Sequence, residues 1–209
     1  MEPTHKKQRV IAYIDGFNLY YGIKQGSHND TLWLDIRLLA LNLLKPDQEL
    51  VFTKYFTSRV KNDPPKEKRQ KAYIEAIETL DDCHIYYGRH QFNIEECRKC
   101  GHSYPYAIEK MTDVNIAVEM LGDAYLDKYD MALLITGDSD LIPPINAVHR
   151  LFNAKRVFVA FPPNRHNVSI QRAAKGSIII GKERLRNAQF PQSVAKKDGF
   201  ILKRPPQWG

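Results

Sequence analysis

The run Val10-Ile11-Ala12-Tyr13-Ile14-Asp15-Gly16-Phe17-Asn18 decides the fold. A short apolar stretch with no polar interruption reads as a strand covered on both faces. It stops at the turn dipeptide Asp15-Gly16, and Phe17 to Lys24 then reads as a helix. The same handover recurs at Met131 to Ile135, an apolar strand followed by Thr136-Gly137-Asp138-Ser139-Asp140. The next segment reads as a helix capped by Asp140, with Pro143 and Pro144 in the first turn, where no backbone donor is needed. Between these landmarks, Leu34 to Leu44 reads as a helix ending before Pro46, and Leu50 to Phe56 as a strand. Pro64-Pro65 opens a helix running through Leu80, and His84 to Tyr87 is a short strand. Thr112 is a suitable N-cap for a further helix, with Val114, Ala117, Val118 and Leu121 at the spacing of a buried face. Strands at Arg156 to Ala160 and Ser177 to Ile180 complete the rhythm. Strands separated by helices imply an α/β fold, a Rossmann-like, mostly parallel sheet flanked by helices on both faces.

Two stretches depart from this rhythm. Residues 88–108 contain Cys97-Arg98-Lys99-Cys100-Gly101-His102 and read as an inserted loop or hairpin within a domain spanning 9–180. Residues 181–209 gain charge and proline and read as a basic C-terminal extension, by default a solvated segment. The chain of 209 residues carries 31 basic and 24 acidic side chains, a net +7. From Lys182 onward there are seven basic and two acidic residues, so this end holds +5 of that excess. A positive surface suits a polyanionic partner. No apolar run approaches a membrane span, and the start, Met1 to Lys7, leads into the first strand without an apolar signal segment. Three cysteines do not suggest a disulfide framework. These features point to a cytoplasmic protein without a membrane partner, and they leave room for a homo-oligomer.

In parallel sheets ligands bind outside the carboxyl ends of the strands. Asp15 and the Asp138/Asp140 pair both follow strands there, and Asp113 opens a helix expected to face the same edge. Each acid alone is explained by a turn or by a helix N-terminus. Their convergence on one edge is not. Gathered carboxylates repel unless a cation sits among them, and a hard divalent ion such as Mg²⁺ or Mn²⁺ suits oxygen ligands. The expected chemistry is metal-assisted phosphodiester hydrolysis, with Asn18 holding a metal-bound water or a phosphate oxygen. A haloacid-dehalogenase phosphatase would need an aspartate where Phe17 stands, and a phosphate-binding P-loop is absent.

Tyr13-Ile14-Asp15-Gly16-Phe17-Asn18-Leu19, Lys110-Met111-Thr112-Asp113-Val114-Asn115-Ile116-Ala117 and Thr136-Gly137-Asp138-Ser139-Asp140-Leu141 together resemble the NYN domain, in its LabA-like branch. That family belongs to the PIN-like ribonuclease group, and the likeness covers Arg9 to Ile180. It implies a PIN-like fold and a nuclease acting on RNA. By position it carries over Asp15, Asp113, Asp138 and Asp140 as catalytic metal ligands, with Asn18 beside them. Two other classes compete: a non-catalytic RNA-binding or regulatory adaptor with a vestigial site, and a small-molecule phosphatase.

Cys97 and Cys100 supply half of a structural Zn²⁺ site, with Cys83, His84, His90 and His102 as candidates for the rest. Arg59, Lys110, Arg165 and His166 fall in or near loops that could meet a phosphate backbone. Tyr20, Tyr21, Tyr86 and Tyr87 are candidates to stack on bases.

Overall fold

The computed structural model describes residues 6–26 and 28–208, with the backbone alone at 90–93, 95 and 104–109. The first five residues, expected to lead into the domain without an apolar segment, lie outside the described residues. The elements are β1 (Gln8–Asp15), α1 (Gly16–Gln25), α2 (Ile36–Leu41), β2 (Gln48–Thr57), α3 (Pro64–Ile77), β3 (Cys83–Tyr87), β4 (Arg89–Glu96), β5 (Ser103–Lys110), α4 (Thr112–Tyr125), β6 (Met131–Ile135), α5 (Ile142–Leu151), β7 (Arg156–Phe161), α6 (Val168–Ala173), β8 (Gly176–Ile179), α7 (Lys182–Arg186), β9 (Ser193–Ala195) and β10 (Ile201–Lys203). Six strands form one sheet in the order β3-β2-β1-β6-β7-β8, and every pairing in it is parallel. The chain runs outward from β1 in one direction and from β6 in the other. The β1–β6 boundary is therefore the topological switch point, where the strand ends leave a crevice.

Strand alternation fills both faces. Val10, Ala12 and Ile14 join Leu133 and Ile135 in one core, while Ile11 and Tyr13 join Ala132 and Leu134 in the other. Among the described residues no helix is long and apolar enough to cross a membrane. The irregular stretch after Gly88 is an antiparallel hairpin, β4–β5, whose tip carries the cysteine motif.

Several local expectations shift for identifiable reasons. The helix expected from Leu34 begins at Ile36, because the Asp35 carboxylate accepts the Leu38 N–H at 2.8 Å and Leu34 bridges to Gln189. The Thr112 cap is corrected to Met111, which has φ 80° and hands the chain from β5 into α4. Thr112 instead packs beside Gly88, where a Cβ would sit 2.7 Å from its hydroxyl. Asp140 does not cap α5. Asp138 accepts the Asp140 N–H at 3.0 Å and opens a short 3₁₀ turn, Ser139–Leu141, ahead of the helix. The buried face of α4 is also different: Val114 and Val118 are 63% and 61% exposed, whereas Ile116, Met120 and Ala124 are buried. α4 is apolar on more than one side, so spacing alone left its rotation open.

What fixes that rotation is a polar tether. Lys54 on β2 is buried between Glu119, at 2.6 Å, and Asp123, both on α4. The Tyr13 hydroxyl donates to Asp123 at 2.7 Å. Burial pushes the Asp123 carboxyl up, but hydrogen bonds from Lys54 and Tyr13 outweigh it and hold the group below its ordinary range.

The segment after Gly181 is not a solvated appendage. Leu185, Ala188, Phe190, Val194, Leu202 and Trp208 join the core beneath α2 and α3, and the Trp33 indole N–H donates to the Pro191 carbonyl at 2.8 Å. Its charges stay outside while its apolar residues close one face of the sheet.

Removing one partner of a buried ion pair leaves the other uncompensated. Lys54→Ala should therefore cost about 3 kcal/mol in urea unfolding. A midpoint unchanged from wild type would show that the tether contributes nothing.

Candidate metal centre

Asp15 ends β1 and caps α1, its Oδ1 accepting the Asn18 N–H at 3.0 Å. Its Oδ2 accepts the Thr136 hydroxyl at 3.0 Å, and the same hydroxyl oxygen accepts the Asp138 N–H at 3.1 Å. One threonine thus ties the end of β1 to the turn after β6. Asn18 adds a second tie, its Oδ1 accepting the Gly137 N–H at 2.9 Å. Gly137 is required by close approach: a Cβ there would lie 1.9 Å from the Arg165 carbonyl oxygen. Asp113 enters from the first turn of α4, aimed by the left-handed Met111 before it. A non-glycine residue in that conformation carries strain that the surrounding structure must hold.

Carboxylate oxygens of Asp15, Asp113 and Asp138 lie within 4.8 Å of one another, and among the described residues this is the sole group of three or more potential metal ligands so close. They line a cavity of about 270 Å³ together with Phe17, Tyr21, Met111 and Arg165. Burial first, then the charges of Asp138 and Asp140, push the Asp113 carboxyl up to about 6. The donor set is all oxygen, anionic and crowded, which fits a hard divalent cation.

Other residues singled out in the sequence meet mixed fates. The Asp140 carboxylate stands outside the triad and acts on Asp113 through its charge, while the Asp140 backbone N–H donates to Asp138. Asn18 lines the cavity, and its amide oxygen accepts the Gly137 N–H, so it braces the turn. Arg165 reaches the cavity wall, and its Nε is a buried donor with no hydrogen-bond partner among the described residues. Arg59 is taken up by Tyr87, His166 by Gln171 and Phe161, and Tyr86 stacks on Phe56 within a core. Cys97 and Cys100 share a tight turn, closed by the Gly101 N–H donating to the Cys97 carbonyl at 2.8 Å. Neither Cys83, His84 nor His102 joins them in a three-ligand group, and the His90 side chain lies outside the described residues. Burial pushes the Cys83 thiol up to about 12, consistent with a packed and inert side chain. Sequence reasoning missed Met111, since nothing in its residue type announces a left-handed backbone.

A family model described as the NYN domain matches residues 9–181. A curated relative, 6-hydroxy-3-succinoylpyridine 3-monooxygenase HspA from Pseudomonas putida, is 25% identical over 96% of this chain and 75% of its own length. Among solved structures, a Vibrio parahaemolyticus protein of unknown function superposes with a TM-score of 0.55 at 19% identity, covering 87% of this chain and 97% of that one. At that identity the likeness speaks to the fold.

Because the fold raises the Asp113 pKa, it prefers the protonated carboxyl. The destabilising effect is full above about pH 6 and fades as pH falls toward the unfolded value. In EDTA, Asp113→Asn should therefore stabilise the protein by about 1–2 kcal/mol at neutral pH, and the gain should vanish near pH 4. Thermal denaturation across that range tests it. A variant no more stable than wild type at neutral pH would contradict the crowding.

Proposed function

The chain belongs to the NYN-domain family, within the PIN-like nuclease superfamily, and from that premise we propose that it is a metal-dependent ribonuclease. The observation that carries the reading is the meeting of Asp15, Asp113 and Asp138 from three distant parts of the chain in one small bowl. These three would hold one or two Mg²⁺ or Mn²⁺ ions. A bound ion of this kind polarises a phosphodiester, activates water and stabilises the leaving oxygen.

The remaining work falls to the protein. Thr136 and Asn18 keep the two strand ends in register, so the carboxylates stay gathered despite their repulsion. Arg165, at the wall with an unpartnered buried donor, is placed to clamp a non-bridging phosphate oxygen. Asp140, outside the triad, adds negative charge that favours cation capture. The motifs around Asp15, Asp113 and Asp138 support placement in the LabA-like branch. Three free thiols among the described residues suit a reducing, cytoplasmic setting.

Labelled single-stranded RNA incubated with Mn²⁺ should be cut by the wild-type protein and left intact in EDTA. Asp113→Asn and Asp138→Asn should reduce cleavage to background while keeping a cooperative thermal transition. Metal-independent cleavage, or full cleavage by both variants, would refute the assignment. RNA binding with no products in any metal would favour the adaptor reading.

A further inference from the structure

A second cavity, about 210 Å³, lies beside the acidic bowl and shares Phe17 and Tyr21 with it. Two helices form its sides with matching spacing. α1 contributes Phe17, Tyr20, Tyr21 and Lys24, positions i, i+3, i+4 and i+7, which share one helical face. α3 contributes Lys66, Arg69, Gln70 and Tyr73 at the same spacing. Trp208, from the C-terminal segment, also lines the cavity. The walls are thus aromatic and the charges on them are all positive.

The aromatic groups are held in fixed relation. Phe17 and Tyr21 are stacked, with ring centroids 6.1 Å apart and planes 20° apart, and Tyr20 meets Tyr21 edge-on at 5.2 Å. Lys24 stands over the Tyr20 ring at 5.9 Å. Lys66 pairs with Asp63, whereas Arg69 and Lys24 have no carboxylate partner among the described residues. Drug-sized ligands usually occupy about 300–1,000 Å³. This cavity is smaller, so it suits one planar ring system. Aromatic faces beside free cations are how proteins hold an unstacked base and its phosphate. α1 also fixes the distance: its capping residue is Asp15, so the stacking face and the metal ligand ride on one rigid element.

We infer that the cleft between α1 and α3 is a nucleobase subsite that accepts one unpaired base of the RNA strand next to the scissile phosphate, making single-stranded RNA the substrate. Tyr20 and Tyr21 supply the stacking surface, and Arg69 and Lys24 meet the adjoining phosphates. A base within a duplex cannot enter without unpairing, so the subsite selects against double strands. The inference rests on the nuclease reading for its link to the cut, but its binding component can be tested separately.

The test uses the full-length protein and a short RNA with a defined cut site. A single abasic nucleotide is walked along the strand, and cleavage in Mn²⁺ is measured for each. One register beside the cut should lose about tenfold or more, and the matching duplex should be cut at least as much more slowly. Equal cleavage at every abasic position, or of the duplex, would overturn the subsite while leaving the nuclease intact. Where no RNA is cut, the nuclease reading fails and binding in EDTA decides. By fluorescence anisotropy, Tyr20→Ala and Arg69→Ala should each weaken single-stranded RNA binding about fivefold to tenfold, and Tyr20→Phe should restore it. Arg69→Ala should also flatten the salt dependence. Wild-type affinity in Arg69→Ala and in a folded Tyr20→Ala would overturn the inference.

Discussion

A single hydroxyl holds the centre of this molecule together. Thr136 donates to Asp15 and accepts from the Asp138 backbone, so the end of β1 and the turn after β6 cannot drift apart. That matters because the groups it brings together repel. Burial, and then the charges of Asp138 and Asp140, push the Asp113 carboxyl up to about 6. The fold holds the crowding by spreading it over rigid parts: parallel strand pairing, a capped helix and a buried lysine tether.

The tether and the bowl are linked through α4. Lys54 and Tyr13 hold Asp123 and Glu119 in the last two turns of that helix, and Asp113 sits in its first. A rigid helix carries the rotation fixed at one end to the other. The left-handed Met111 then sets where the helix begins. Strain at that residue is supported by the packing of Thr112 against Gly88.

The C-terminal segment changes the picture of how the chain is organised. Its basic residues agree with a polyanionic partner, yet its apolar residues complete a core and bring Trp208 to the wall of the aromatic cleft. Positive charge near that cleft and negative charge in the adjoining bowl suit a strand that is gripped along its backbone and met by a cation at one phosphate.

The sequence by itself determined the α/β rhythm, because uninterrupted apolar runs bounded by Asp-Gly or Gly-Asp admit few other structures. The Asp15 and Asp138 motifs were legible for the same reason: in a parallel sheet, a residue directly after a strand must lie at one edge, whereas Asp113 was read from its place at a helix N-terminus. Tertiary structure alone decided which acids meet. Asp138 turns inward to Thr136 while Asp140, two residues on, falls outside the triad, a difference that residue type and spacing do not encode. It also decided the rotation of α4, where Val114 and Val118 face outward because a buried Lys54 on a distant strand claims the opposite side. Local patterns report how a segment folds; a contact between residues far apart in the chain settles which way it faces.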